Sequence, residues 1–249
     1  MTGEPLMSLR GIGKMFGSQT ALRDVDLDVF GGECLGIVGD NGAGKSTLSK
    51  IMSGTYLPDT GSITLSGETV RFAGPADARA RHIEMVYQEL SLCDTIDVAG
   101  NLFLGREICR SGFLDERTMM REGRKMLDVL GIRVSRMNAK VARLSGGQRQ
   151  SIAIARAASF GPRVLLLDEP TSALAVAEVE AVMALINRVK AQGIAVVLVT
   201  HRLQDLFRVC DRIAFMYEGT KVAERFIGET NLEEIVQLIV GGSGLREAA

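Results

Sequence analysis

Short hydrophobic runs separated by glycine or polar residues dominate the first part of the chain. Within residues 6–40, three runs are typical of strands: "LMSLRGIGKMF", "VDLDVF" and "ECLGIVGD". Two later runs bounded by glycine, "GSITLSG" and "ETVRFAG", predict a pair of strands joined as a hairpin. Between them, a helix is expected to begin at Gly44 and to bury Leu48 and Ile51.

The spacing of apolar residues changes to a helical period over residues 95–159. Apolar positions three and four apart recur in "IDVAGNLFLG", "DERTMMREGRKMLDVLG" and "GGQRQSIAIARAASF". The middle segment has a helix-start signal at Asp115 and a stop signal at Gly131. We therefore predict an inserted α-helical subdomain over residues 95–159.

Strands and helices alternate after Gly161. The run "RVLLLD" is continuously apolar, as expected of a parallel strand covered on both faces. It is followed by helix "AVAEVEAVMALINRVKAQG", strand "IAVVLVT", helix "RLQDLFRVC", strand "RIAFMY" and helix "NLEEIVQLIVG". This alternation predicts an α/β fold with a mostly parallel sheet. We expect one domain, 1–249, with its core and an N-terminal antiparallel β subdomain in 1–94 and 160–249.

Composition and charge exclude some classes of protein. The 249 residues carry 29 Lys and Arg against 30 Asp and Glu, a formal charge of −1, so no basic excess favours nucleic acid as a partner. The four cysteines form no CxxC pair, which favours buried free thiols in a reducing compartment. No apolar run reaches the roughly 18 residues of a membrane-spanning helix, and no signal peptide is evident. We expect a cytoplasmic protein.

The segment "GDNGAGKST" matches the pattern of a phosphate-binding loop between a strand and a helix. Its glycines let backbone N–H groups approach phosphates, and the helix N-terminus favours negative charge. Lys45 is predicted to contact the β- and γ-phosphates of ATP, and Ser46 to bind Mg²⁺. The predicted nucleotide-binding loop consists of Gly39, Asp40, Asn41, Gly42, Ala43, Gly44, Lys45, Ser46 and Thr47.

Acidic and polar residues end the strands that should lie beside this loop. Asp168 and Glu169 end "RVLLLDE" and His201 ends "IAVVLVTH". Because ligands gather at the carboxyl ends of parallel strands, Asp168 is predicted to steady Mg²⁺ and Glu169 to activate the attacking water. His201 is predicted to reach the γ-phosphate. Gln88, after "EMVY", is either a ligand of Mg²⁺ or the water, or an ordinary polar strand end.

A second glycine-rich turn, "LSGGQ", opens the helix "GGQRQSIAIARAASF". Ser145 is a typical N-cap, and we expect Gly146 and Gly147 to leave the first N–H groups of the helix uncovered. A simple cap is the alternative. Two anion sites on separate subdomains indicate that the second binds the ATP of another copy of the chain. The turn consists of Leu144, Ser145, Gly146, Gly147 and Gln148.

The order and spacing of these motifs resemble the nucleotide-binding subunits of ABC transporters, which have a P-loop NTPase core. The resemblance covers nearly the whole chain. It implies an ATPase acting as a head-to-tail homodimer, with each ATP between the P-loop of one copy and the "LSGGQ" turn of the other. It also implies that Phe16 stacks on adenine, although a core role at a strand end is the alternative.

One position departs from the family pattern. The family commonly has aspartate after "SAL", where this chain has Ala175, so the chain lacks the carboxylate of the usual contact across the dimer. The missing aspartate and the segment "YQELSLCDTIDVAGNLFLGRE" together resemble the sequences of ABC ATPases that serve importers of monosaccharides such as ribose, xylose and fructose. The alternatives are a transporter of another solute, an exporter, or a soluble ABC ATPase acting on nucleic acid or ribosomes.

The same resemblance implies partners at the membrane. A pair of integral-membrane permease subunits would hold the ATPase on the inner face of the cell membrane, and a periplasmic sugar-binding protein would act with them indirectly. The permease is expected in the groove between the core and the helical insert, close to Gln88. Leu102, Phe103 and Leu104 are candidate contacts, and packing within the insert is the alternative explanation for them.

Overall fold

The computed structural model describes residues 3–240 of the chain. Its strands are β1 (Met7–Phe16), β2 (Gln19–Val29), β3 (Cys34–Val38), β4 (Thr60–Leu65), β5 (Glu68–Val70), β6 (Ile83–Val86), β7 (Cys109–Arg110), β8 (Phe113–Leu114), β9 (Val164–Asp168), β10 (Ala195–Val199), β11 (Arg212–Tyr217) and β12 (Thr220–Phe226). Its helices are α1 (Lys45–Met52), α2 (Pro75–Ala80), α3 (Val98–Leu102), α4 (Glu116–Val129), α5 (Gly146–Ala158), α6 (Val176–Ala191), α7 (Leu203–Val209) and α8 (Leu232–Val240).

The N-terminal strands form an antiparallel sheet in the order β2-β1-β4-β5. The predicted hairpin is present, with Ile63 opposite Val70 in β4 and β5. Strand β2 is longer than its apolar pattern predicts, because it begins at Gln19, directly opposite Phe16 of β1. Pairing with β1 across a tight turn extends β2 through residues that have no regular alternation of their own.

The second sheet has the order β12-β11-β3-β10-β9-β6. Strands β6, β9, β10, β3 and β11 are parallel, and β12 pairs antiparallel with β11 at the edge. The predicted α/β class with a mostly parallel sheet is confirmed. Strand β12 was not predicted, because "TKVAERF" has neither an apolar run nor a clear alternation.

Two hydrophobic clusters cover opposite faces of the parallel sheet. Leu165 and Leu167 of β9 belong to the cluster shared with the helical insert, α6 and α7. Val164 and Leu166 belong to the cluster shared with the antiparallel sheet and α1. Because neighbouring residues of a strand face opposite sides, burial on both faces explains why β9 is apolar at every position.

Residues 95–159 hold α3, α4 and α5, and also a short hairpin, β7–β8, that was not predicted. Helix α4 has the predicted start, because the Asp115 carboxylate accepts the Thr118 N–H at 3.0 Å. Of the three candidate permease contacts, Leu102 and Phe103 are buried and explained by packing, whereas Leu104 is 45% exposed. The subdomain boundaries at 95 and 159 stay a prediction.

Three further expectations concern the whole chain. No helix within residues 3–240 is long and apolar enough to cross a membrane. The cysteines are free thiols, and Cys34 and Cys210 are buried, but the expected burial is wrong for Cys109, which is exposed on the unpredicted hairpin. The final predicted helix is α8, and its predicted last residue, Gly241, lies outside the described residues.

Candidate nucleotide-binding site

The glycine-rich loop connects β3 to α1 at the carboxyl end of the parallel sheet. Gly44, the residue before α1, has φ of 97°, and a Cβ there would lie 2.7 Å from the carbonyl oxygen of Ala21. A side chain at Gly39 would overlap the carbonyl of Met216. The loop therefore packs against the neighbouring backbone at two positions where only glycine fits.

The ammonium group of Lys45 lies inside this loop. It donates hydrogen bonds to the carbonyl oxygens of Gly39 at 2.8 Å and Asp40 at 2.9 Å. Burial lowers the pKa of Lys45, and the nearby carboxylates of Glu169, Asp40 and Asp168 partly oppose that shift. A cation held this way can meet an incoming phosphate group directly.

Ser46 and Asp168 come together from α1 and the end of β9. The Ser46 hydroxyl donates to Oδ1 of Asp168 at 3.3 Å. Burial raises the pKa of Asp168, and the hydrogen bond from Ser46 lowers it in part. A hydroxyl and a carboxylate are hard oxygen donors, the kind that Mg²⁺ prefers, so this pair fits a magnesium ion at the phosphate loop.

Glu169 and His201 end the neighbouring strands β9 and β10. Glu169 has φ of 52°, and its N–H donates to the Val199 carbonyl at 2.8 Å. The His201 Nδ1 atom lies 2.8 Å from Oε2 of Glu169. This buried oxygen has no hydrogen-bond partner within residues 3–240. An unpartnered carboxylate oxygen can accept a proton from water.

One cleft of about 460 Å³ collects the predicted residues from separate segments. Phe16 lies at one end, 44% exposed, with its ring 5.3 Å from that of Tyr56 in an edge-to-face arrangement. Its exposure excludes the alternative of a core residue. The other predicted residues that line the cleft are Asn41, Gly42, Gly44, Lys45, Ser46, Thr47, Gln88, Glu169 and His201.

Several residues near the cleft were not predicted. Gln19, Thr20 and Ala21 line it, because the turn after Phe16 returns the chain alongside the phosphate loop. Behind it, the buried Thr171 hydroxyl donates to the Asp205 carboxylate at 2.6 Å. Gln19 follows Phe16 by only three residues, so its place at the cleft could have been predicted from that of Phe16. No local pattern in the sequence indicates a contact between Thr171 and Asp205.

The "LSGGQ" turn begins α5 and does not line this cleft, whose lining residues in the described chain include none of 144–148. The Ser145 hydroxyl accepts the Gln148 N–H at 3.3 Å, and the Gln148 side chain accepts the Ser145 N–H at 3.1 Å. The expectation of two uncovered glycine N–H groups is wrong at Gly147, whose N–H donates to the Glu178 carboxylate at 3.0 Å.

Comparison with known protein families and proteins gives consistent matches. The family described as "ABC transporter" matches residues 22–172. The chain is 42% identical over 234 residues to the xylose/arabinose import ATP-binding protein XylG of Sulfolobus acidocaldarius, covering 94% of this chain and 93% of that protein. It is 44% identical over 221 residues to the fructose import ATP-binding protein FrcA of Rhizobium meliloti, covering 86% and 85%.

Some relatives are longer than this chain. The ribose import ATP-binding protein RbsA of Chromobacterium violaceum is 41% identical over 235 residues, but the chain spans only 47% of its length. Among solved structures, MJ1267, an ATP-binding cassette of an ABC transporter, has a TM-score of 0.82 at 26% identity, with 91% and 94% of the two chains covered.

A second solved structure concerns assembly. The dimeric structure of MJ0796, a bacterial ABC transporter cassette, has a TM-score of 0.74 at 26% identity and covers 89% of this chain and 98% of that one. The family match includes the P-loop, the "LSGGQ" turn and the end of β9, three of the motifs that carried the resemblance in the sequence. With its ATP-binding-cassette fold and these motifs, the chain belongs to the ABC transporter family.

Proposed function

We propose that this chain is the ATP-binding and ATP-hydrolysing subunit that energises import of a simple sugar through an ABC transporter. The observation that carries the proposal is the convergence of Lys45, Gln88, Glu169 and His201 in one cleft, although they come from four separate segments. The sugar class rests on the relatives, which are named as import ATP-binding proteins for xylose and arabinose, fructose and ribose.

ATP binds with its phosphates in the glycine-rich loop and its adenine at Phe16. The Lys45 ammonium exchanges the carbonyls of Gly39 and Asp40 for β- and γ-phosphate oxygens, which are stronger acceptors. The half-exposed Phe16 ring offers a face for stacking at the far end of the cleft. The hairpin from Phe16 to Gln19 and the loop therefore bind opposite ends of one nucleotide.

Hydrolysis is an in-line displacement by water. The water oxygen attacks the γ-phosphorus, the bond from that phosphorus to the β–γ bridging oxygen breaks, and ADP and phosphate leave. Glu169 accepts the proton that the water loses, and His201, whose Nδ1 atom lies 2.8 Å from that carboxylate, contacts the γ-phosphate. Bound Mg²⁺, held by Ser46, Asp168 and Gln88, would neutralise charge on the phosphate oxygens.

The active form is a head-to-tail homodimer. The "LSGGQ" turn at the N-terminus of α5 does not line the cleft of its own chain, so it is available to the ATP of a second copy. The existence of a dimeric cassette among the similar solved structures supports this arrangement. Each of the two composite sites then takes its P-loop from one copy and Leu144 to Gln148 from the other.

A groove between the core and the insert is the proposed place for the permease. It has a volume of about 350 Å³ and is lined by residues from β6 and its following loop and from the insert, among them Tyr87, Leu104 and Arg106. The Arg106 guanidinium lies 4.2 Å from the Phe160 ring centroid and pairs with Glu84. Docking there would hold the ATPase on the inner face of the membrane, with a periplasmic sugar-binding protein acting on the permease.

Reconstitution with the permease tests this function. The chain is co-purified with candidate permease and binding-protein subunits, placed in liposomes, and assayed for ATP hydrolysis with a panel of sugars and non-sugar solutes. We expect one or a few monosaccharides to stimulate hydrolysis. Stimulation by another solute class, export, or activation by nucleic acid would overturn the sugar assignment, and no ATP hydrolysis under any condition would overturn the enzyme itself.

A further inference from the structure

The carboxylate of Glu178 joins two helix N-termini. Its Oε1 atom accepts the N–H of Gly147, in the first turn of α5, at 3.0 Å. Its Oε2 atom accepts the N–H of Ala175, the residue before α6, at 3.2 Å. One side chain thus satisfies backbone donors of both the "LSGGQ" turn and the loop that follows β9.

Packing reinforces this bridge. A Cβ at Gly147 would lie 2.6 Å from the Cβ of Glu178 and 2.7 Å from its Cγ. A Cβ at Gly146 would lie 3.3 Å from a methyl group of Leu174. The two glycines of the turn therefore lie directly against the start of α6 and the preceding loop, and any side chain at Gly147 would separate them.

The charge of Glu178 suits its position. The hydrogen bond from the Gly147 N–H, with further hydrogen bonds from Ser145 and the Ala175 N–H, lowers the pKa of this carboxyl. Negative charge at the N-termini of α5 and α6 is also favoured by both helix dipoles. Ala175 has no side-chain acceptor to cap α6, and its own N–H donates to the Glu178 carboxylate one turn later.

We propose that Glu178 is a positioning residue that fixes the "LSGGQ" turn to the loop at Leu174 and Ala175, so that both face the nucleotide of the partner as one unit. The proposal rests on the head-to-tail dimer described above. Gly146 remains available to the phosphates of the partner, while Gly147 serves the bridge. The side chain acts through the turn and does not touch the nucleotide of its own chain.

Mixing experiments separate a role in the partner's site from a role in the chain's own site. In a head-to-tail dimer of Glu178→Ala and Lys45→Ala chains, one composite site contains both lesions and the other contains neither. We expect each variant alone to lose about tenfold or more of its ATPase rate at saturating ATP, and the mixture to regain activity. Random pairing limits that recovery to about a quarter of the wild-type sites.

Controls make each outcome decisive. Glu180→Gln, on the exposed face of α6 beside Arg208, should hydrolyse ATP at the parent rate. Fluorescent-nucleotide binding by Glu178→Ala should match the parent, because its P-loop is unchanged. Its thermal unfolding should be cooperative, at a somewhat lower temperature because two helix N-termini lose an acceptor. Glu178→Gln, which keeps the volume but can accept only one of the two N–H groups through its single oxygen, should fall between the parent and Glu178→Ala.

A second mixture separates failure of this inference from failure of the proposed function. Ser145→Arg with Lys45→Ala places lesions in the same composite site without altering Glu178. If that mixture regains activity and the Glu178→Ala mixture does not, Glu178 acts within its own chain and the inference is wrong. If neither mixture regains activity, the hypothesis that two composite sites hydrolyse ATP independently is wrong. The proposed positioning role of Glu178 is then wrong as well. An unfolded Glu178→Ala chain would also overturn it, in favour of a purely structural role.

Discussion

The Nδ1 atom of His201 lies 2.8 Å from Oε2 of Glu169, where β10 and β9 end side by side. The two residues are brought together by parallel pairing of their strands, in which Val199 lies opposite Asp168. This pairing sets the carboxylate and the imidazole at the edge where the phosphate loop also opens. The position of Glu169 therefore depends on the sheet, and its chemistry can be tested by substitution.

Glu169→Gln should bind ATP at the parent affinity and hydrolyse it about 10²–10⁴ times more slowly, because the amide cannot accept the proton of the attacking water. ATP that is bound but not hydrolysed should also hold the chain as a dimer. Single-turnover hydrolysis and size-exclusion chromatography with ATP measure both effects. Glu218→Gln, in an exposed turn, is the control. Hydrolysis by Glu169→Gln at the parent rate would show that another group takes the proton.

Asp168→Asn should raise the Mg²⁺ concentration needed for half-maximal ATPase activity by about 10–100-fold, because a neutral amide replaces a charged oxygen donor beside Ser46. Metal-free ATP binding should change much less, since the Lys45 contacts remain. The measurement is a magnesium titration of the ATPase rate, with chelator as the baseline. An unchanged magnesium midpoint would remove Asp168 from the metal site.

Phe16→Ala should weaken ATP binding by about 1–3 kcal/mol through loss of a stacking surface, with the ATPase rate at saturation nearly unchanged. Phe16→Tyr keeps the ring and should bind ATP normally. Phe113→Ala removes an exposed ring far from the cleft, on β8, and serves as the matched control. If Phe16→Ala lowers the unfolding temperature and leaves ATP affinity unchanged, the ring stabilises the hairpin against Tyr56 instead.

Arg212→Met should destabilise the fold by about 3–5 kcal/mol, because it leaves a buried charge unpaired. Arg212 donates to both oxygens of Glu33 at 2.9 Å, and both residues are buried. Urea denaturation measures the loss. Arg121→Met, which breaks an exposed pair with Glu122, should cost less than about 1 kcal/mol. Equal losses in the two variants would contradict a special role for the buried pair.

The same variant should show a pH dependence of known sign. Burial already raises the pKa of Glu33, and the charge of Arg212 opposes that shift. Removing the guanidinium raises the folded-state pKa of Glu33 further above its unfolded value. The folded variant therefore binds a proton more readily than its unfolded chain, and its stability increases relative to the parent as the pH falls. The difference in unfolding free energy should be smaller near pH 5 than near pH 8, and a constant difference would contradict it.

Local pattern was sufficient for much of the fold and for the residues with distinctive surroundings. The P-loop was predicted because its glycines and Lys45 occur at a fixed spacing between a strand and a helix. The apolar run of β9 identified a strand covered on both faces, and Asp168 and Glu169 followed from its end. Asp115 was identified as a helix start because a capping carboxylate accepts a backbone N–H only three residues later, here that of Thr118, so the signal is local.

Contacts between distant segments were not predictable in this way. The full length of β2 and the edge strand β12 depend on pairing with β1 and β11, which overrides their weak local patterns. From the sequence alone, the Gly147 N–H was predicted to be uncovered. In the structure it donates a hydrogen bond to Glu178. The N-terminus of a helix can be predicted to have backbone N–H groups without partners inside the helix. Which acceptor reaches those N–H groups depends on the packing of α5 against α6.

The sequence by itself determined the α/β class with a mostly parallel sheet, the phosphate loop and the identity of the polar strand ends, because each depends on local spacing. The cassette fold was implied by the resemblance of the motifs to the ABC transporter family. Only the tertiary structure decided that Phe16, Gln88, Glu169 and His201 share one cleft, and that the "LSGGQ" turn lies outside it, tied to Glu178. The reason is physical. Periodicity records which side of an element is buried, whereas the meeting of two elements depends on sheet order and helix packing, which no short stretch of sequence encodes.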